Sequence, residues 1–184
     1  MPVLSLSASQ GDGEGQNEMN ASMDLLRKTL VAFQDKADNI RVFFPDQMEL
    51  AVARSGQTSD PNAGRAALDP KFEDNTRFKF GYLTKQNAAW AALGINIFGS
   101  KFTPVDLVKD TDEMFVVAYP SFNPREELSA TYQLYQGAAE PTGRPLVVFN
   151  GELDRIRGGY YPSFAFGELS KLSKDFIPKV VLVS

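Results

Sequence analysis

Ile40-Arg41-Val42-Phe43-Phe44-Pro45-Asp46-Gln47-Met48-Glu49 is the stretch whose reading decides the fold. Residues 40–44 are a short run of β-branched and aromatic side chains stopped by Pro45, the pattern of a buried strand. Asp46 and Glu49 stand at the spacing of a helix capping box, so a helix is predicted from there to just before Gly56. The same strand, turn and helix order returns downstream. Met114 to Tyr119 reads as a strand ending at Pro120. Asn123-Pro124-Arg125-Glu126-Glu127 then opens a helix, with Asn as cap, Pro in the first turn and two acids facing the positive end of the helix dipole.

Working outward, Leu128, Thr131, Tyr132 and Tyr135 make the buried stripe of that helix, and Gly137 is expected to end it. Pro145 to Phe149 predicts a third strand. Ile177 to Val183 predicts a fourth, after a helix around 165–174. Phe78, Phe80 and Tyr82 alternate and suggest one more. A helix is predicted from Thr84, as cap, to Leu93, and a short helical turn at Thr103-Pro104-Val105-Asp106. Upstream, Met23, Leu26, Leu30 and Phe33 recur on one face of a helix starting near Ala21. Residues 1–20, rich in Ser, Gly and acids, read as a disordered tail, and 55–75 as a loop. Strands alternating with helices predict a single α/β domain over 21–184. Its sheet is mostly parallel, with four to five strands flanked by helices in Rossmann-like layering.

Composition narrows the chemistry. The chain has 184 residues, 43% hydrophobic and 23% charged, enough for one full core. It contains neither cysteine nor histidine. That excludes disulfides, thiolate-bound metals, thiol catalysis and any triad or proton shuttle that uses imidazole. A metal would have to bind carboxylates alone, and no metal or other cofactor is expected. The net charge of −4 gives no overall attraction for nucleic acid. No apolar run is long enough to span a bilayer, and the start has no secretory signal or transit-peptide pattern. The aromatic load of fourteen Phe, six Tyr and one Trp exceeds the needs of a small core, so a partner-facing aromatic patch is expected.

In parallel α/β sheets the loops after the strands gather at one edge, where ligands bind. Here those loops are Pro45-Asp46, Pro120-Ser121-Phe122-Asn123 and Asn150-Gly151-Glu152. The densest polar segment follows the third strand: Asn150, Glu152, Asp154, Arg155, Arg157, Tyr160 and Tyr161, with Gly158 and Gly159 among them. One reading is an anion or partner surface, with Arg155 and Arg157 forked onto a phosphate or carboxylate. The other is a turn with internal salt links and rings covering the core edge. Asp46 and Glu49 could serve as an acid–base pair, but the helix cap already explains their spacing. Ser121 has no nucleophile elbow and no base to activate it. No phosphate loop or dinucleotide fingerprint is present.

Three segments taken together resemble a plastid family of plants and algae that carries a domain of unknown function and includes the low photosystem II accumulation assembly factors. They are Val42-Phe43-Phe44-Pro45-Asp46 with Glu49, Phe115-Val116-Val117-Ala118-Tyr119-Pro120, and Val147 through Pro162, where Asn150-x-x-Leu153 follows a strand. The resemblance covers roughly residues 20 to 184. It implies a non-catalytic protein of the chloroplast stroma or the stromal face of the thylakoid, peripheral to the membrane. Such a protein would assist photosystem II assembly by binding core or antenna subunits, with CP43 the suspected partner, and other assembly factors. It supplies no catalytic residues. It also implies that an acidic strand segment before the first helix and a segment beyond the last strand are missing. The alternatives are a small-molecule or nucleotide-binding α/β enzyme using the Arg155 and Arg157 edge, and a permanent accessory subunit of a thylakoid complex.

Overall fold

The computed structural model describes residues 13–56, 67–68, 77–85, 102–120, 124–149 and 181–183. Helix α1 (Gly13–Val31) leads through a 3-10 helix, Gln34–Asn39, into strand β1 (Ile40–Asp46). Helix α2 (Gln47–Ser55) follows at once and stops at Gly56, whose φ of 70° suits glycine. Strands β2 (Lys79–Thr84), β3 (Met114–Ala118), β4 (Leu146–Phe149) and β5 (Val181–Val183) complete a sheet ordered β2-β1-β3-β4-β5. Every pairing is parallel, with Phe44 opposite Tyr82, Phe43 opposite Val117, Ala118 opposite Phe149 and Phe149 opposite Val183. The expected parallel α/β domain is therefore what forms.

Side chains alternate across the sheet with the strand period of two. Phe43, Leu83, Phe115, Val117, Leu146 and Val148 face helix α3, which begins at Pro124–Leu134, and meet its Leu128, Leu134 and Tyr135. Val42, Phe44, Phe78, Val116, Ala118 and Phe149 face the other way, into a cluster with Met23, Leu26 and Leu30 of α1 and Leu50 and Ala53 of α2. Both faces of the inner strands are thus covered, which is why β3 reads as an unbroken apolar run and β1 as one interrupted only by Arg41 before Pro45.

Two expectations are corrected. Helix α1 begins at Gly13, so residues 13–20, read as tail, belong to its first turns. Gly137 does not end α3: the helix continues through a π turn, Tyr135–Ala139, into Glu140–Thr142. Pro141 gives the physical reason. It has no amide to offer the Gly137 carbonyl and its ring would strike that carbonyl in a regular α-helix, so the turn ahead of it widens. The Tyr135 hydroxyl donates to Glu140 Oε1 at 2.8 Å across the widened turn. The stop is Gly143, left-handed at φ 68°.

Gly137 has a different task. A Cβ there would lie 2.8 Å from Val105 Cγ2, on the 3-10 helix Pro104–Leu107 that forms where a helical turn was expected. Gly137→Ala should therefore destabilise the fold by about 1–2 kcal/mol, despite alanine's better helix propensity. Urea denaturation of Gly137→Ala and of Gly137→Ala with Val105→Ala checks this, since the second change removes the collision and should recover part of the loss. The predicted helices over 84–93 and 165–174 lie outside the described residues, apart from Thr84 and Lys85. Thr84 closes β2, and its hydroxyl donates to the Pro45 carbonyl at 3.1 Å.

Candidate functional site

Because the strands are all parallel, their carboxyl ends share one rim. The strand order places β2 on one side of β1 and the later strands on the other, so the winding reverses between β1 and β3. That reversal is where open α/β sheets hold ligands. Asp46 ends β1 there, Tyr119 and Pro120 follow β3, and Phe149 ends β4 beside them.

Asp46 is 7% exposed, and its carboxylate accepts the Glu49 amide at 2.8 Å. It is the cap of α2, as its spacing predicted. Asp46→Ala should cost about 1 kcal/mol in a denaturation experiment, and Asp46→Asn much less, because asparagine keeps the accepting oxygen. Tyr119 holds φ at 32°, a left-handed backbone that costs a non-glycine residue about 1–2 kcal/mol. Two contacts hold it in place: its amide donates to the Phe149 carbonyl at 2.7 Å and its ring meets Phe44 edge-on at 6.1 Å; Pro120 behind it is buried. The strained turn follows β3 at the rim, and its Tyr119 amide ties it to the end of β4.

The two helices that start at the reversal carry their own acids. Glu49 lies in the first turn of α2 beside the Asp46 cap, and Glu126 and Glu127 lie in the first turn of α3. Glu127 is 2% exposed. These carboxylates offset the positive ends of both helix dipoles and repel a phosphate placed there. Lys85 is a cation at the rim, 4.8 Å from the centre of the Phe102 ring, which stacks on Tyr82 at 5.0 Å.

A second polar group forms at the opposite pole, where the strands begin. Asp112 is 1% exposed. It accepts Arg41 Nε at 2.7 Å and Arg41 Nη2 at 3.3 Å, Lys79 Nζ at 3.1 Å and the Lys109 amide at 2.8 Å. Burial pushes its carboxyl up, but the bonds from Arg41, the Lys109 amide and Lys79 outweigh that and hold it below 3.8. The group ties the starts of β1 and β2 to Asp112, two residues ahead of β3. Nearby, Arg77 pairs with Asp38, and Asn39 donates to Glu113 at 2.8 Å. Sequence reasoning missed this group, although a signal was present: Arg41 is a charge inside a strand buried on both faces, and such a charge needs a partner.

Asn150, Glu152, Asp154, Arg155, Arg157, Tyr160 and Tyr161, like Ser121 and Asn123, lie outside the described residues. The chain enters that segment from Phe149, at the rim. Among the described residues every aromatic ring but Phe33 is buried or half-buried, and the exposed large apolar side chains are Leu25, Val31, Phe33 and Met48. The expected aromatic patch is not formed by them. Among the described residues no group of three acids could hold a metal, and no helix is long and apolar enough to cross a membrane.

A family model described as Domain of unknown function (DUF1995) matches residues 2–182. No match was found among the curated proteins or among the solved structures.

Proposed function

We propose that this chain, which belongs to the DUF1995 family of domains of unknown function, is a non-catalytic protein that binds other proteins through its strand-end rim. The role proposed for that binding is the assembly or stabilisation of photosystem II at the stromal face of the thylakoid. The observation that carries the binding reading is the electrostatics of the winding reversal. The place where a doubly wound fold normally seats a phosphate or nucleotide is bordered by two helix starts already neutralised by Asp46, Glu49, Glu126 and Glu127. That weighs against the nucleotide-binding enzyme, as does a chain with no histidine or cysteine for acid–base or covalent work. The photosystem role is supported by the resemblance of residues 42–49, 115–120 and 147–162 to the low photosystem II accumulation factors. CP43 is the partner it favours.

Purification of the tagged chain from thylakoid extract tests this. The expected result is recovery of photosystem II core or antenna subunits, CP43 among them, at less than one copy per complex and mainly from assembling complexes. Recovery at fixed ratio with the finished complex would instead make it a permanent subunit. Absence of photosystem subunits would remove the assembly role.

A further inference from the structure

The exposed apolar side chains of the described surface gather on one helix. Leu25, Val31 and Phe33 lie on α1 or in the turn that closes it, with Ala21 and Ala32 exposed beside them. The other exposed large apolar side chain among the described residues is Met48, at the rim. Met23, Leu26 and Leu30 face the core, so Leu25 points away from it. Ala21, Leu25, Lys28 and Ala32 follow one another at steps of four, three and four. That spacing runs a seam along the outside of the helix, as in helices that pack side by side. An apolar strip of this kind on a domain surface marks a contact.

The charges beside the seam say what fits it. Asp24 and Lys28 are both exposed and stand one turn apart, with Lys28 Nζ 2.7 Å from Asp24 Oδ2. A negative charge followed by a positive one along a helix is complementary to the same helix reversed. A second copy of α1 laid antiparallel on the first therefore sets Lys28 against Asp24 twice, once in each direction. The same alignment lays Leu25 of each copy along the aliphatic stem of Lys28 in the other and brings Ala21 opposite Ala32. Small residues at both ends of the seam let the two helices approach closely. We infer that the outer face of α1 is a homodimer interface, in which two copies of the chain pack antiparallel through Ala21, Leu25, Lys28 and Ala32 about a two-fold axis. The inference goes beyond binding at the rim and does not depend on it. Helix α1 runs into the start of β1, which carries Val31 and Phe33 toward the strand-start pole, and the contact uses neither Asp46 nor Met48.

Analytical ultracentrifugation of the full chain tests this. The mass of the unaltered chain should climb from monomer toward dimer as its concentration rises to about 100 μM, the weak affinity expected of a small interface. Leu25→Glu and Ala32→Arg, both at exposed positions and so compatible with the fold, should each raise the dissociation constant about tenfold or more. The charges supply a stricter arm. Asp24→Lys alone and Lys28→Asp alone should each associate more weakly than the unaltered chain, because like charges then meet across the axis. Mixed in equal amounts, the two variants should form a heterodimer, since every facing pair is again of opposite sign. Circular dichroism confirms that each variant is folded. A chain that stays monomeric throughout the range overturns the inference and leaves the face to a different protein. So does a dimer that survives both Leu25→Glu and Ala32→Arg, or a mixture of the charge variants that associates no better than its components.

Discussion

Asp112→Ala should destabilise the protein by about 3–5 kcal/mol, a large part of the stability of a single domain. The loss does not come from the ion pair as such. It comes from Arg41, whose side chain is 9% exposed and would be left charged at the start of β1 with only a 3.5 Å contact to the Phe80 carbonyl. Lys79, 28% exposed, can turn to water and contributes little to the cost. Replacing both partners by apolar groups, Arg41→Met with Asp112→Leu, should recover most of the loss, because an unpaired buried charge costs more than the pair gains. Urea denaturation of the single and double variants measures this. The acid limb gives a second reading. The folded-state carboxyl of Asp112 is held below its value in the unfolded chain. Its stabilisation is therefore complete above about pH 4, the unfolded value, and fades as the pH drops through the lower folded value. Asp112→Ala should lack that part of the acid-induced loss.

Phe149→Ala should cost about 3–5 kcal/mol as well, for an unrelated reason. Phe149 is fully buried and ends β4, which lies inside the sheet between β3 and β5. Its backbone contact, the carbonyl that accepts the Tyr119 amide, survives the substitution. What disappears is the ring, which leaves a cavity in the core shared with α1 and α2. The denaturation midpoint should fall with little change in the denaturant slope. An unchanged midpoint would mean that β4 does not deliver residue 150 to the rim from the inside of the sheet.

The two predictions differ in how readable their residues were. Phe149 sits in an apolar run closed by Asn150-Gly151, and hydrophobic pattern with turn chemistry is enough to place it on a buried strand. The Asp46 cap was legible for the same reason, since its partner is three residues away. The Arg41–Asp112 pair spans 71 residues and is made by the sheet order, which local pattern does not encode. A run of apolar residues says that a strand is buried on both faces but not which strands flank it. Gly137 misled because a glycine after a helical stripe is usually a stop. Here its missing Cβ makes room for Val105, and Pro141 widens the turn. The left-handed Tyr119 had no sequence signal, because a tyrosine before proline favours extended backbone. The polar segment 150–162 was singled out by composition, and of its surroundings the structure describes the strand end that leads into it.

The rim-binding claim is tested most directly by site-specific photo-crosslinking. Met48, 59% exposed in the first turn of α2, is a suitable probe position on the rim, and Lys109, exposed beside the strand starts, is its counterpart at the other pole. In thylakoid extract, a crosslinker at position 48 should give adducts with photosystem II core or antenna subunits and one at position 109 should not. Adducts with those subunits from position 109 and none from position 48 would contradict the account.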